Sequence, residues 1–433
     1  MNVLVLGKGG REHALVWKLA QSPRITKVFC APGNAGTAID GINVPIETGP
    51  NDFEKLIRFA KRENIRLTVV GPEDPLALGI VDAFQREGLR VFGPSKAAAQ
   101  LEASKVFAKL KMRHADIPTA EFKVCDHPGE ARKYAETRDY PVVVKADGLA
   151  AGKGVIVCST VEETLKAIDR VMVKEEFGAA VGRRIVIEKR LEGQELSLFA
   201  LVGGRAILPM PPTQDHKAVY DNDEGPNTGG MGAYCPAPIG TPELLSNVEE
   251  NVLVPITHAM RMARTPFRGL LFTGLMLTAQ GPRVLEFNCR FGDPETQPML
   301  MRLKSDLLDL LEAVVDNRLD EIDEATVEWD PRPAVCVVMA CGGYPGPYTK
   351  GKYITGLDDA ARLADVKVFH AGTKIDGPVT LTDGGRVLGV TALGDTLAAA
   401  KARAYEAVAK IKFQGMHFRR DIADKALLGK PST

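Results

Sequence analysis

The sequence has no excess of either charge: 55 Lys and Arg face 55 Asp and Glu, so the formal net charge is zero. A continuous basic footprint for a nucleic-acid backbone is therefore not expected, and a charged ligand must meet local charge. Cysteine is sparse, with seven in the chain and no Cys-x-x-Cys pair, which favours reduced thiols over a disulfide framework or a zinc site. Cys336 and Cys341 read as packing residues. Long apolar runs are lacking too. The stretch from Leu270 to Thr278 is interrupted by Gly274 and is far shorter than the roughly 20 residues that cross a bilayer, so no membrane span is expected. Met1 runs into Val3 to Leu6 without a basic n-region or a cleavage site, and a cytoplasmic protein is expected.

What is present is material for several packed domains: 433 residues, 45% of them hydrophobic. Over the first hundred residues short β-rich runs alternate with helical patterns. Strands are expected at Asn2 to Leu6, Thr26 to Cys30, Leu67 to Val70 and Arg90 to Phe92, with helices from about Arg11, at Phe53 to Arg62 and at Leu76 to Arg86. This α/β alternation implies a doubly wound parallel sheet whose ligand lies beyond the strand C-termini, near Gly7, Gly71-Pro72 and Gly93-Pro94. A helical pattern from Ser95 to Arg113 ends at Ile117-Pro118, where a new β-rich region starts. Further strands are expected at Val142 to Lys145, Val155 to Cys158, Arg184 to Glu188, Glu195 to Val202, Ala206 to Pro209, Leu270 to Thr278 and Arg283 to Asn288. The second sheet is expected against the first small unit. Trp329 to Pro333 reads as a linker to a last β-rich region.

Lys145 ends a strand, and the glycine-rich turn Asp147 to Gly154 follows, with Gly148, Gly152, Lys153 and Gly154. A cation and unobstructed backbone N–H groups there suit a polyphosphate; an ordinary hairpin is the alternative. The turn is not a Walker A loop, because three residues separate Gly148 from Gly152 and Gly154 follows Lys153. Gly7-Lys8-Gly9-Gly10-Arg11-Glu12 likewise fails the dinucleotide fingerprint, with Glu12 at the third glycine position, which weakens a nicotinamide-enzyme reading. Glu188 and Glu195 are candidates for nucleotide contact, Glu195 being the better for ribose hydroxyls. In Leu285-Glu286-Phe287-Asn288 the alternation aims Glu286 and Asn288 at one face and Leu285 and Phe287 at the core. Two oxygen ligands on one strand suit Mg²⁺. Arg290 either stabilises a transferring phosphate or pairs with Asp293.

Together, Gly7 to Ala14, Asp147 to Val155, Gln214 to Lys217, Gly225 to Ala233 and Arg290 to Gln297 closely resemble the phosphoribosylamine–glycine ligase family of purine biosynthesis, and the resemblance runs in order to Gly384 to Leu388. It implies an ATP-grasp architecture: 1–103 an N-terminal doubly wound substrate domain, 104–121 a connecting helical segment, 122–190 a small mobile lobe, 191–328 the central catalytic lobe and 329–433 a C-terminal β-rich domain. It also implies ligation of glycine to 5-phosphoribosylamine with ATP as co-substrate and Mg²⁺ or Mn²⁺ as the metal. Glu286 and Asn288 would hold the metal, with Arg290 and Lys145 as catalytic cations. Lys105, Lys145, Gly148, Gly152, Lys153, Gly154, Glu188, Lys189, Leu191 and Glu195 would bind the nucleotide. Gly7, Gly9, Gly10, Arg11, Glu12, Gly71, Pro72, Glu73, Asp215, His216, Lys217, Asn227, Thr228, Gly229 and Gly230 would bind the acceptor, the glycine-rich Asn227 to Gly232 as a flexible covering loop. A transient contact with the upstream amidotransferase stays open. Other ATP-grasp carboxylate–amine ligases and a catalytically silent nucleotide-binding regulator are the competing readings.

Overall fold

The structure is a computed structural model that describes residues 1–150 and 154–429. Five parallel strands at the N-terminus lie in the order Ile42–Asn43, Lys27–Pro32, Asn2–Gly7, Ile65–Val70 and Val91–Phe92. The central strand Asn2–Gly7 is covered on both faces. Val3 and Val5 share a core with Phe199, Leu201 and the helix Leu307–Val315, whereas Leu4 and Leu6 pack with Leu56, Phe59, Ile80 and Phe84. That is why this strand is almost continuously apolar instead of alternating. The chain builds outward from it in both directions, so the loops after Gly7 and Val70 flank the point where strand order reverses and a ligand crevice opens.

Two expected helices are broken. Leu76 to Arg86 divides into Glu73–Leu78 and Ile80–Arg86 at Gly79, whose φ of +93° is left-handed backbone that favours glycine. Ser95 to Arg113 divides into Gln100–Ala103 and Lys105–His114, because Ser104 is extended and its Oγ accepts the Phe107 N–H at 3.0 Å as an N-cap. The cap places Lys105 at the helix start and Lys109 one turn later on the same face.

The middle of the chain forms two antiparallel sheets. One has the order Phe122–Cys125, Ile185–Lys189, Val142–Ala146 and Val155–Cys158. The other has the order Ala206–Pro209, Gln194–Gly203, Gly269–Thr278 and Gly281–Asn288. Helix Lys105–His114 touches both, at Ile185–Lys189 and at Gly281–Asn288. A further sheet orders Gln214–Asp215, Gly232–Cys235, Ala334–Cys341, Arg386–Leu393 and Val366–His370, with helix Leu397–Lys410 packed on it. Its hydrogen bonds join strands from either side of the linker at Trp329 to Pro333.

Near the end of the described chain, Arg419 has a fully buried side chain. Its guanidinium grips Asp421 at 2.8 and 2.6 Å, Asp223 at 2.9 Å and the Ala218 carbonyl at 3.1 Å, while Lys425 lies 2.8 Å from Asp223. This grip anchors the hairpin formed by Ala218–Tyr220 and Glu224–Asn227. All seven cysteines are free and buried, Cys336 and Cys341 included. No helix among the described residues is long and apolar enough to cross a membrane.

Candidate active site

Strand Gly281–Asn288 carries the two oxygen donors expected for a metal. Glu286 stands opposite Gly274 and Asn288 opposite Phe272, and Phe287 enters the core with no exposed surface. Leu285 departs from the expected alternation. The ladder steps from Val284–Leu275 to Glu286–Gly274, leaving Leu285 as a bulge that is only half-buried. The bulge puts its carbonyl to use: Lys145 Nζ donates to Leu285 O at 3.1 Å, and on the adjacent residue Lys105 Nζ donates to Glu286 Oε2 at 3.1 Å. Lys105 holds the Glu286 carboxyl well below the usual carboxylate range against the opposing effect of burial, and Lys145 and Lys217 add to it. Among the described residues no group of three or more His, Cys, Asp or Glu side chains is set to hold a metal unaided. Glu286 and Asn288 fit a hard cation that takes its remaining ligands from water and phosphate oxygens.

Glu188 is taken up by two lysines. Its carboxylate is 3% exposed and divided between Lys145, 2.5 Å from Oε1, and Lys109, 2.5 Å from Oε2. A buried carboxylate needs such partners. Burial pushes Lys109 down to about 8, with Glu188 opposing the shift. Lys109 escaped sequence reasoning, although its place four residues after Lys105 on one helix face was a usable signal. Lys189 is exposed, its ammonium 5.0 Å from the Tyr140 ring, and Leu191 is half-buried. Glu195 side-chain oxygen lies 3.9 Å from Lys217. In the glycine-rich turn Asp147 ties its strand to the nearby helix, accepting from Ser104 Oγ at 2.7 Å and Val106 N at 3.1 Å. Gly148 packs on Val181, and Gly154 accepts the Ala146 N–H at 2.8 Å; Gly152 and Lys153 lie outside the described residues.

The segment after the metal strand joins the N-terminal sheet to these lobes. Arg290 Nε donates to Glu73 at 3.2 Å and Nη1 to Phe291 O at 3.1 Å, while Nη2 lies 3.3 Å from Glu102. Glu102 in turn accepts the Cys289 N–H at 2.7 Å. The alternative pairing of Arg290 with Asp293 is not what forms, because Asp293 lies 3.5 Å from Arg386 and accepts from the Arg11 backbone N–H. Arg11 bonds Glu12 and Phe291 O and lies 3.8 Å from Glu73.

The glycine loop after the first strand serves these side chains. A Cβ on Gly7, Gly9 or Gly71 would fall within 2.7 Å of Glu12 atoms, and one on Gly10 would lie 2.6 Å from Gln297. Glu12 itself is 1% exposed and accepts the Gly9 N–H at 2.5 Å. The close approach expected for a ribose phosphate is therefore occupied in part by the protein's own carboxylates at the helix N-terminus. Pro72 and Glu73 remain half-buried at the rim.

Asp215 lies 3.5 Å from Lys217, and burial raises its carboxyl above the usual range with Lys217 opposing. His216 points elsewhere. Its ring is fully buried, with Nδ1 3.2 Å from Gly232 O and Nε2 accepting the Ala423 N–H at 3.3 Å, which fixes the neutral Nδ1–H tautomer. Burial pushes this imidazole down to about 3. An imidazole neutral in the fold but protonated near 6.5 in the unfolded chain supports stability above pH 6.5 and loses it as pH falls toward 3. The loss at pH 5 is about 2 kcal/mol. His216→Gln should accordingly flatten the decline in unfolding free energy between pH 7 and 5, and an unchanged slope would speak against a buried neutral ring.

The loop expected to be a flexible cover is tied down. Thr228 N and Oγ1 both donate to Lys217 O at 2.8 Å, the Gly229 N–H donates to Tyr344 Oη at 3.1 Å, and Gly230 N donates to Thr228 Oγ1 at 2.9 Å. Arg386 Nη1 donates to the carbonyls of Gly229 at 2.7 Å and Asp293 at 2.6 Å. Asn227 is exposed at the hairpin edge. Only the full topology reveals these anchors, since Tyr344 and Arg386 come from beyond the linker.

The sequence matches three domain descriptions of one family: phosphoribosylglycinamide synthetase N domain over residues 1–102, its ATP-grasp (A) domain over 103–296 and its C domain over 334–425. The phosphoribosylamine–glycine ligase of Rhodopirellula baltica is 56% identical over 99% of this chain and 98% of its own, and that of Vibrio vulnificus is 49% identical over 99% of each. The crystal structure of phosphoribosylamine–glycine ligase from Thermotoga maritima superposes with a TM-score of 0.81 at 35% identity, covering 98% of this chain and 100% of that one. The biotin carboxylase domain of a Hydrogenobacter thermophilus carboxylase, solved with MgADP, shares the fold at 16% identity and a TM-score of 0.73, covering 96% of this chain and 91% of that one. From its first strand to its C-terminal sheet, the chain belongs to the phosphoribosylglycinamide synthetase family.

Proposed function

We propose that the chain catalyses ATP-dependent ligation of glycine to 5-phosphoribosylamine, giving glycinamide ribonucleotide, ADP and phosphate in purine biosynthesis. The observation that carries this reading is the meeting of Lys105 and Lys145 on adjacent residues of the strand that bears Glu286 and Asn288. Two cations and a hard-metal donor pair at one strand end suit the transfer of a γ-phosphoryl group.

In the first step a glycine carboxylate oxygen bonds the γ-phosphorus while the bond to the ADP oxygen breaks, giving glycyl phosphate. Lys105 and Lys145 neutralise phosphate charge, and Arg290, oriented by Glu73 and Glu102, faces the same region. Mg²⁺ bound by Glu286 and Asn288, or Mn²⁺ on the same oxygens, would supply Lewis-acid neutralisation of the transferring phosphoryl group. In the second step the amine of phosphoribosylamine attacks the acyl carbon, a C–N bond forms, phosphate leaves and the amine gives up a proton. No enzyme nucleophile is needed.

Gly148, Gly154 and the segment Lys189 to Leu191 offer backbone to the nucleotide, and the half-exposed Glu195 suits ribose hydroxyls. Gly7, Gly9, Gly10, Gly71 and Pro72 would line the acceptor cleft together with Arg11, Glu73, Asp215, Lys217 and Asn227 to Gly230. Glu12 and His216 would support it from behind. The lobes divide for this purpose near residues 103, 121, 190 and 328. Seven buried, unpaired thiols support action in the cytoplasm. A transient contact with the upstream amidotransferase would suit the fragility of phosphoribosylamine.

The test is a coupled synthesis assay in which glycine, ATP and phosphoribosylamine are omitted one at a time and the product is identified by mass. Full turnover should need all three and yield ADP. Stoichiometric AMP, or turnover with another amine or carboxylate at equal rate, would overturn the reading.

A further inference from the structure

Lys109 has no part in the reaction outlined above, yet its side chain is only 2% exposed. Its ammonium lies 2.5 Å from Glu188 Oε2 and donates to Thr119 Oγ1 at 2.7 Å, with the Phe122 ring 5.8 Å away. The other oxygen of Glu188 holds Lys145 at 2.5 Å. Lys145 and Glu188 come from the paired strands Val142–Ala146 and Ile185–Lys189, and Lys109 reaches them from the helix that begins at Lys105.

One lysine closed on one buried carboxylate is a neutral pair, and its field falls away quickly with distance. Two lysines on one carboxylate keep a net positive charge. The low polarity of the surroundings lets that charge act farther than it would in water. The pairing also fixes Lys145: of its three N–H groups, one faces Glu188 and one the Leu285 carbonyl, which leaves one for a ligand.

We propose that Lys109 is a positioning residue for the nucleotide: by sharing Glu188 it leaves Lys145 an uncompensated positive charge toward the phosphates of ATP. The inference rests on the assignment of Lys145 to those phosphates. Glu188 is on this view the hinge between the two lysines rather than a nucleotide contact.

The test is steady-state kinetics of the full chain with ATP varied at saturating glycine and phosphoribosylamine, and folding followed separately by thermal unfolding. Lys109→Met should raise KM for ATP about tenfold and change kcat by less than about threefold, the pattern of lost ground-state binding. Lys109→Arg should stay near wild type. Lys109→Met combined with Glu188→Gln restores the net charge and should recover most of the KM, whereas a purely structural role predicts that the double variant is no better. If Lys109→Met does not fold, Lys109→Gln, neutral but still a donor to Glu188, is read with the same expectation.

Unchanged KM for ATP in the neutral variant, or a defect that Glu188→Gln leaves in place, overturns the proposal. Lys145→Ala in the same assay separates the two claims. An unchanged KM there removes Lys145 from the phosphates and the inference with it. A raised KM in Lys145→Ala alone removes only the role of Lys109.

Discussion

Glu286→Gln is expected to lower turnover on the order of 100-fold, or roughly 2.7 kcal/mol of transition-state stabilisation, while leaving the fold intact. The substitution keeps shape and hydrogen-bonding capacity but removes the charge that faces Lys105 at 3.1 Å and that a metal would share with Asn288. The site then changes in two ways: a hard cation loses its anionic protein donor, and Lys105 loses its counter-charge. Excess Mg²⁺ should restore part of the rate if metal occupancy is what limits the variant. The measurement is kcat at saturating glycine and ATP across a Mg²⁺ series, with unfolding followed in parallel. Near-normal turnover would remove Glu286 from the chemistry. A reduced rate with unaltered Mg²⁺ dependence would instead assign it to holding Lys105.

Arg419→Met is expected to destabilise the protein by about 3–5 kcal/mol, the usual effect of removing one partner from a buried ion cluster. The guanidinium is fully buried and grips Asp421 through a two-pronged contact, so its loss leaves that carboxylate without a counter-charge in contact and with only the Asn222 N–H at 2.9 Å; Asp223 keeps Lys425. Burial alone would raise both carboxyls, yet Arg419 holds Asp421, and Lys425 together with Arg419 holds Asp223, below the ordinary range. Depressed carboxylates contribute stability that is fully present above their unfolded value near 4 and is lost as pH falls through their folded values. Chemical denaturation of the variant should therefore show a lower midpoint at neutral pH and a shallower decline on acidification. A stability within about 1 kcal/mol of wild type would mean that the cluster's desolvation cancels its attraction.

The first hundred residues were legible because a parallel sheet covered on both faces leaves unbroken apolar strands between amphipathic helices. Lys145, Glu286 and Asn288 could be picked out because each ends or lines a strand, where alternation dictates a face. The bulge at Leu285 could not, since one extra residue in a ladder leaves no mark in composition. The break at Gly79 had a signal, a glycine inside a helical pattern, but isolated glycines are also tolerated within helices. The roles of Glu188 and of the glycines around Glu12 were hidden for another reason. Spacing shows that a carboxylate or an open backbone is available, not whether a ligand or a neighbouring side chain takes it. Tyr344 and Arg386, more than a hundred residues beyond the loop they hold, illustrate the same limit for long-range contacts.

The sheet that crosses the linker has a consequence for how the chain is made. Strand Gly232–Cys235 pairs with Ala334–Cys341, and Cys235 meets Ala334 about a hundred residues downstream. At a synthesis rate of about 5–20 residues per second, the nascent strand waits on the order of 5–20 seconds for its neighbour. Throughout that interval it offers an open edge to other chains, the kind of surface on which ribosome-associated chaperones act. The N-terminal sheet faces no such delay, because its five strands all emerge within the first hundred residues. Translation thus completes the strand pairing of the N-terminal sheet well before helix Leu307–Val315 covers its Val3 and Val5 face, and before the loop beside Asp215 acquires its backing from Tyr344 and Arg386.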